Sequence, residues 1–394
     1  MRIGVISPQD WGLPVARWDG NARLDRLGIT VAELEQRVQH CLYHWLPRHF
    51  NAAEGAFHGF YSAPRQHLEP PQTVNLIAPW LLLAAYDRFQ DDSLLQMAQR
   101  AATWFYDRFV ITHPMSVAIG GVRESLPDGA LWTKFAAEYV LLVAGLYRRT
   151  GDQTALQRAL QSAGFLIQSS RHHFAPRYDV RSGAWLPLGW QSFGRVVEAF
   201  LELADLTGDT RWQERALAWG EFGLGLQAEN GSFYLIDDDY FNTDIAADEL
   251  RALTFLYEQT GQERFLAAAV RFAGWLLARQ RADGAWPLTI DRDGNVVVPT
   301  VGPGDIPNIA IALLRLHAVT GQAAYLDAAQ LALRYSLSMQ IVPGGPHPYA
   351  DDPGVAWGFW SWDPYYDYTV SGDQATHHIR GFLFLLDYLG AKGS

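Results

Sequence analysis

Cysteine is almost absent from this chain. Cys41 stands alone among 394 residues, which excludes a disulfide framework and multi-cysteine zinc sites. Charge is also sparse, at 19% of residues, and basic residues are the scarcer kind: 31 Lys and Arg against 42 Asp and Glu give a formal charge of −11. With no run of basic residues, nucleic acid and an anionic bilayer are excluded as partners. No stretch reaches the roughly 18 uninterrupted apolar residues of a membrane span. Met1 to Pro8 is too short an apolar stretch for a secretory signal, so a soluble, cytoplasmic protein is expected. What remains is rich in apolar residues, 49% of the chain with 15 tryptophans, enough to bury a large core.

Repetition organises that core. Leu146 to Gly151, Leu203 to Gly208, Leu256 to Gly261 and Leu316 to Gly321 each end in Thr-Gly, at intervals of 57, 53 and 60 residues. Each glycine follows an apolar run of helical length and suits the left-handed residue that stops a helix. A second helical stretch begins within a few residues, so the unit is a helical hairpin. Weaker copies lie around Tyr86 to Asp92 and at Tyr388 to Gly390. The first helix of each unit, such as Ala136 to Leu146, is apolar nearly all round and belongs inside. The second, such as Ala155 to Gln161, is amphipathic and faces solvent on one side. Outer helices are expected near residues 31, 94, 153, 210, 262 and 322, and inner ones near 70, 130, 189, 243, 304 and 372.

This layout resembles the (α/α)6 toroid, or six-hairpin, superfamily of glycoside hydrolases, polysaccharide lyases and sugar epimerases, over about residues 27 to 390. The resemblance implies an all-α fold, a single (α/α)6 barrel of six inner and six outer helices behind a short N-terminal extension of about residues 1–26. It also implies a carbohydrate-active enzyme with its site where the inner helices begin. Terpene cyclases share related toroids, and Ala282 to Trp286 and Glu229 to Phe233 are similar to their turn repeats, so that class stays open.

Aligned on their Thr-Gly ends, the inner helices place equivalent residues in columns, and three columns are not apolar. The outermost holds Thr73, Lys134, Gln191, Asp244, Gly304 and Asp373. One turn deeper come Ile77, Glu138, Arg195, Asp248, Asn308 and His377, and then Trp80, Leu141, Glu198, Arg251, Ile311 and Arg380. Positions i, i+4 and i+7 share a helix face. Burying unpaired charge costs several kcal/mol per group, so the stripe must be paired or solvated. A polar funnel satisfies that requirement. For the deepest column a structural network is expected, Glu138 with Arg195 and Glu198 with Arg251.

Glycoside hydrolysis needs two carboxyls flanking the scissile bond. Asp244 and Asp373 form the leading pair, with Asp248 competing because a deeper carboxyl has a raised pKa and suits a general acid. Lys134, Glu138, Gln191, Arg195 and Asn308 are expected to position the substrate. Trp132, Trp190 and Trp286 provide stacking, and Trp362 and Tyr366 belong to an aromatic rim that runs from Trp357 to Tyr368. Several rim aromatics must instead cap the barrel core. A lyase or uronate or hexosamine epimerase would use His377 or Tyr366 as base, with Arg195, Arg380 or Lys134 holding a carboxylate. His378 points about 100° away from His377 and is expected to pack. No cofactor is expected; Asp237-Asp238-Asp239 raises calcium as the candidate metal, although acidic loops before helices are common. The expected partner is an oligo- or polysaccharide.

Overall fold

The computed structural model describes residues 6–187, 192–234, 240–364 and 367–393. The first helix, α1 (Val31–His40), opens on a reciprocal cap. Thr30 Oγ1 accepts the Glu33 N–H at 3.2 Å and Glu33 accepts the Thr30 N–H at 2.7 Å. Inner and outer helices then alternate: α2 (Val74–Phe89), α3 (Asp92–Phe109), α4 (Thr133–Thr150), α5 (Gln153–Arg171), α6 (Phe193–Thr207) and α7 (Thr210–Leu226). They continue through α8 (Thr243–Thr260), α9 (Glu263–Leu277), α10 (Asp305–Thr320), α11 (Ala323–Ser338) and α12 (Gly372–Gly393). Each even-numbered helix packs on the next and α12 packs back on α2, closing an inner ring. The fold is an (α/α)6 toroid.

Local chemistry explains the hairpins. Gly151, Gly208, Gly261 and Gly321 end α4, α6, α8 and α10 with φ between +64° and +70°, a conformation in which a Cβ would clash. Asp152 and Asp209 follow and cap α5 and α7, each carboxylate accepting a backbone N–H at 2.9 and 3.0 Å. At Gly194 the ring is tightest: a Cβ there would lie 2.2 Å from the Asp248 carbonyl oxygen, so α6 and α8 meet backbone to backbone.

The two ends of the ring differ. Where the inner helices finish, residues 6–18 form a plug. Arg380 Nε donates to the Ile6 carbonyl at 2.8 Å, the Ala16 N–H donates to Asp387 at 2.7 Å, and Trp18 Nε1 donates to the Leu386 carbonyl at 3.0 Å. Arg149 gathers Asp87 and Asp10 around Ser7, and Trp11 stacks on Tyr388. Residues 6–18 of the expected N-terminal extension are therefore a structural stopper. Where the inner helices begin, short antiparallel ribbons form a rim and feed directly into them: Thr369–Ser371 into α12, Leu131–Trp132 into α4 and Phe241–Asn242 into α8.

Candidate active site at the mouth of the ring

The first turns of four inner helices converge at the open end. Lys134 of α4 reaches Asp244 of α8 at 2.5 Å. On α10, Asp305 accepts a hydrogen bond from Thr243 at 3.2 Å. On α12, Asp373 faces His377 Nε2 at 3.4 Å, and the other ring nitrogen of that histidine lies 3.0 Å from the Asn308 amide of α10. Asp244 and Asp373 remain about one-third exposed. The outer polar columns thus gather Lys134, Asp244, Asp373, Asn308 and His377 at one mouth, as their spacing implied.

Beside this cluster a cavity of about 230 Å³ opens between α2, α4, α12 and the hairpin that carries Phe60 and Glu69; Glu138, Asp373 and Phe135 line it. Two of its carboxyls are displaced in opposite directions. Burial dominates at Glu138 and pushes its carboxyl up to about 7, against the pull of Lys134 and Arg195. At Asp373 burial also works upward, but the His377 hydrogen bond and the His377 and Lys134 charges outweigh it, holding the carboxyl below its ordinary range. Asp305 is driven well above that range by burial and by the neighbouring Asp244 charge. Burial would lower the Lys134 ammonium, yet Asp244, Glu138 and Asp248 together keep it firmly protonated.

One turn deeper the funnel closes. Arg195 pairs with Glu138 at 3.5 Å, Glu198 at 3.1 Å and Asp248 at 3.0 Å, and Arg251 pairs with Glu198 at 2.7 Å and Asp248 at 2.8 Å. All five side chains are buried. This is the expected network of Glu138 with Arg195 and Glu198 with Arg251, joined into one by Asp248.

Three expectations need correction. Asp248 has no raised pKa: burial acts upward, but Arg195, Arg251 and Lys134 outweigh it and hold the carboxyl low, which removes it as a general acid. Arg195 is 3% exposed with three carboxylate partners, so its guanidinium is committed to the barrel network. Trp286 is fully buried with its indole N–H on the Leu276 carbonyl at 2.8 Å and offers no stacking face.

Trp132 sits half-buried at the rim beneath the Arg177 guanidinium, its N–H on Glu124 at 3.1 Å, and Trp362 is half-buried. Trp190, Gln191, Tyr366 and Asp237-Asp238-Asp239 lie outside the described residues. Among the described residues no group of three or more His, Cys, Asp or Glu side chains could hold a metal ion. Phe359 and Trp360 are buried and cap the core, with Phe359 stacked on the buried His378 at 4.2 Å.

Asp305, Glu69 and Phe135 were missed as site residues. Aligning α10 on its C-terminal end put Gly304 in the outer column, one residue short of Asp305. An acidic residue directly after a Gly-Pro-Gly turn was the available signal. Glu69 belongs to a loop that no helix column samples.

A double helical ring, stoppered at one end and polar at the other, defines the class: an (α/α)6 toroid. No family model and no curated protein matches the chain. Solved structures do match. A D-mannose isomerase aligns at 14% identity over 90% of this chain and 98% of its own, with a TM-score of 0.73. The cellobiose 2-epimerase of Bacillus thermoamylovorans B4167 aligns at 14% identity over 90% and 99%, TM-score 0.68. The unsaturated glucuronyl hydrolase of Bacillus sp. GL1, responsible for glycosaminoglycan degradation, aligns at 15% identity over 89% and 94%, TM-score 0.62. At such identities the shared property is the fold. No helix among the described residues is long and apolar enough to cross a membrane.

Proposed function

We propose that this chain is a carbohydrate-active enzyme that hydrolyses a glycosidic bond, with Glu138 as general acid and Asp373 as general base or nucleophile. One observation carries the reading: a single cavity whose lining includes two carboxyls that their surroundings push apart, one up to about 7 and one below its usual range. Glu138 gives its proton to the glycosidic oxygen as the bond to the anomeric carbon breaks. Asp373 accepts the proton of the attacking water, or attacks the anomeric carbon itself, and His377 holds it in place. Lys134 and Asp244 supply hydrogen bonds to sugar hydroxyls. The pair replaces Asp244 and Asp373, because Asp244 is committed to Lys134.

Epimerisation is the second reading, favoured by the likeness to a D-mannose isomerase and a cellobiose 2-epimerase. It would use His377 as the base. Both of that ring's nitrogens already have neighbours, Asp373 and Asn308. Arg195 and Arg380, which elimination or uronate epimerisation would need for a substrate carboxylate, are sealed beneath the mouth. A carbocation cyclase fits poorly with an ammonium and an amide at the mouth.

Proton NMR of oligosaccharide digests in deuterated water decides between the readings. Hydrolysis creates new reducing ends with no deuterium on carbon. Epimerisation leaves chain length unchanged and exchanges a carbon-bound proton; that outcome would overturn the proposal.

The pH profile adds an independent check. A general acid works only while protonated, so kcat/KM should fall as pH rises through about 7, the value for Glu138. The acidic limb should lie below about 3.9, the ordinary aspartate value, because Asp373 is held under it. Glu138→Gln should abolish the alkaline limb along with most of the rate; an unchanged limb would assign it elsewhere.

A further inference from the structure

The 230 Å³ cavity has a neighbour at the rim. Phe60 and Glu69 line it on one side and also line a second chamber of about 600 Å³, whose far wall includes Arg65, His67 and Asp367. The sheet explains why the two share these residues. The strand Phe60–Ser62 lies between His67–Leu68 and Thr369–Ser371, with Phe60 paired to Ser371 and Ser62 to both His67 and Thr369. Phe60, Ser62 and Thr369 border the outer chamber, and Ser371 and Phe60 border the inner one. One continuous sheet therefore runs from Asp373 outward, with the Phe60 ring at the junction. That ring is 43% exposed, although its backbone is held by strand pairing on both sides.

Size and charge restrict what can lie there. The inner cavity falls below the roughly 300–1,000 Å³ of sites that take drug-sized ligands, so it suits one sugar ring, and the outer chamber has room for more. The described inner lining carries three carboxyls, Glu69, Glu138 and Asp373, and no basic side chain. A uronate in that position would set like charge against like charge at close range. An apolar ring edge flanked by hydrogen-bond acceptors suits the C–H face and hydroxyls of a neutral pyranose. Depth adds direction, since the Arg195–Asp248–Arg251 network closes the funnel below Glu138, which suits a chain end.

We propose that the site is a two-chamber groove for neutral oligosaccharides of at least two units. The terminal sugar lies in the inner cavity, and the next units cross Phe60 into the chamber of Arg65, His67 and Asp367. The proposal rests on the hydrolytic reading for its direction of cleavage, but it concerns binding and is testable apart from catalysis.

The test is calorimetric titration of the Asp373→Asn variant, alone and combined with Phe60→Ala or Phe60→Trp. The probes are glucose, mannose and galactose, their oligomers of two to four units, and the matching oligouronates. Neutral oligomers of one series should bind at least about tenfold more tightly than their monosaccharide, and oligouronates should bind more weakly than neutral oligomers. Phe60→Ala should remove about tenfold from oligomers and at most twofold from the monosaccharide, the scale of one lost aromatic contact. Phe60→Trp should restore binding, which a folding defect would not. Failure of every neutral oligomer to bind, equal losses for monomer and oligomer, or preference for uronates would each overturn the groove. Chain-length-dependent binding without new reducing ends in the wild type would leave the groove standing and remove the hydrolytic reading; reducing ends with length-independent binding would do the reverse.

Discussion

Asp373→Asn should lower kcat by about 10³-fold, within the range for loss of a positioned acid or base, while KM changes less than about threefold and the protein remains folded. Asparagine keeps the shape of aspartate and loses its charge, so the substitution removes the group that receives a proton or attacks carbon and leaves the cavity otherwise intact. Fold disruption is not expected, because Asp373 lies at the solvent-facing mouth with 37% of its side chain exposed. Asp244→Asn provides the comparison. It weakens a contact to Lys134 and removes no lining carboxyl, so a loss of about tenfold is expected, the scale of one hydrogen bond to a charged group. If Asp244→Asn proved the more damaging and Asp373→Asn retained a tenth of the activity, the catalytic assignment would move to α8.

The second large effect concerns stability. Arg251→Ala should cost about 3–5 kcal/mol, the loss seen when one partner is taken from a buried charge network. Arg251 bonds Glu198 at 2.7 Å and Asp248 at 2.8 Å, and all three are at most 1% exposed. Its removal leaves Glu198 and Asp248 sharing Arg195 with Glu138. The denaturant midpoint should fall steeply with little change in slope. A midpoint close to wild type would mean that the network is solvated and that the funnel extends deeper than Glu138.

The architecture was legible because helix periodicity and glycine stops are local. Thr-Gly spacing located the ends of four inner helices, and subtracting a helix length located their starts. The same alignment found Lys134, Asp244, Asn308, Asp373 and His377, whose depth is fixed by position along rigid rods. It could not reveal which charges pair across the ring. Asp248 looked like a buried acid until Arg195 and Arg251 were seen to converge on it from α6 and from its own helix. Trp286 followed the same logic: its composition fitted a stacking platform, but packing against α9 decides its role. Phe60 depends on strand pairing between segments about 300 residues apart, and Glu69 is held beside it by its N–H on the Phe60 carbonyl at 2.9 Å; no helix periodicity records either.

Ring closure brings together parts of the chain that are made at very different times. Residues 6–18 engage α12 through hydrogen bonds spanning as many as 374 positions, and α12 also seals the gap beside α2. During synthesis the stopper can meet α2 and α4 early through Ser7, Asp10 and Arg149, but its contacts to α12 must wait until the twelfth helix has left the ribosome. Contacts of such long range form slowly, so a nascent chain passes through an open crescent with two apolar helix flanks exposed, the species most in need of chaperone shelter.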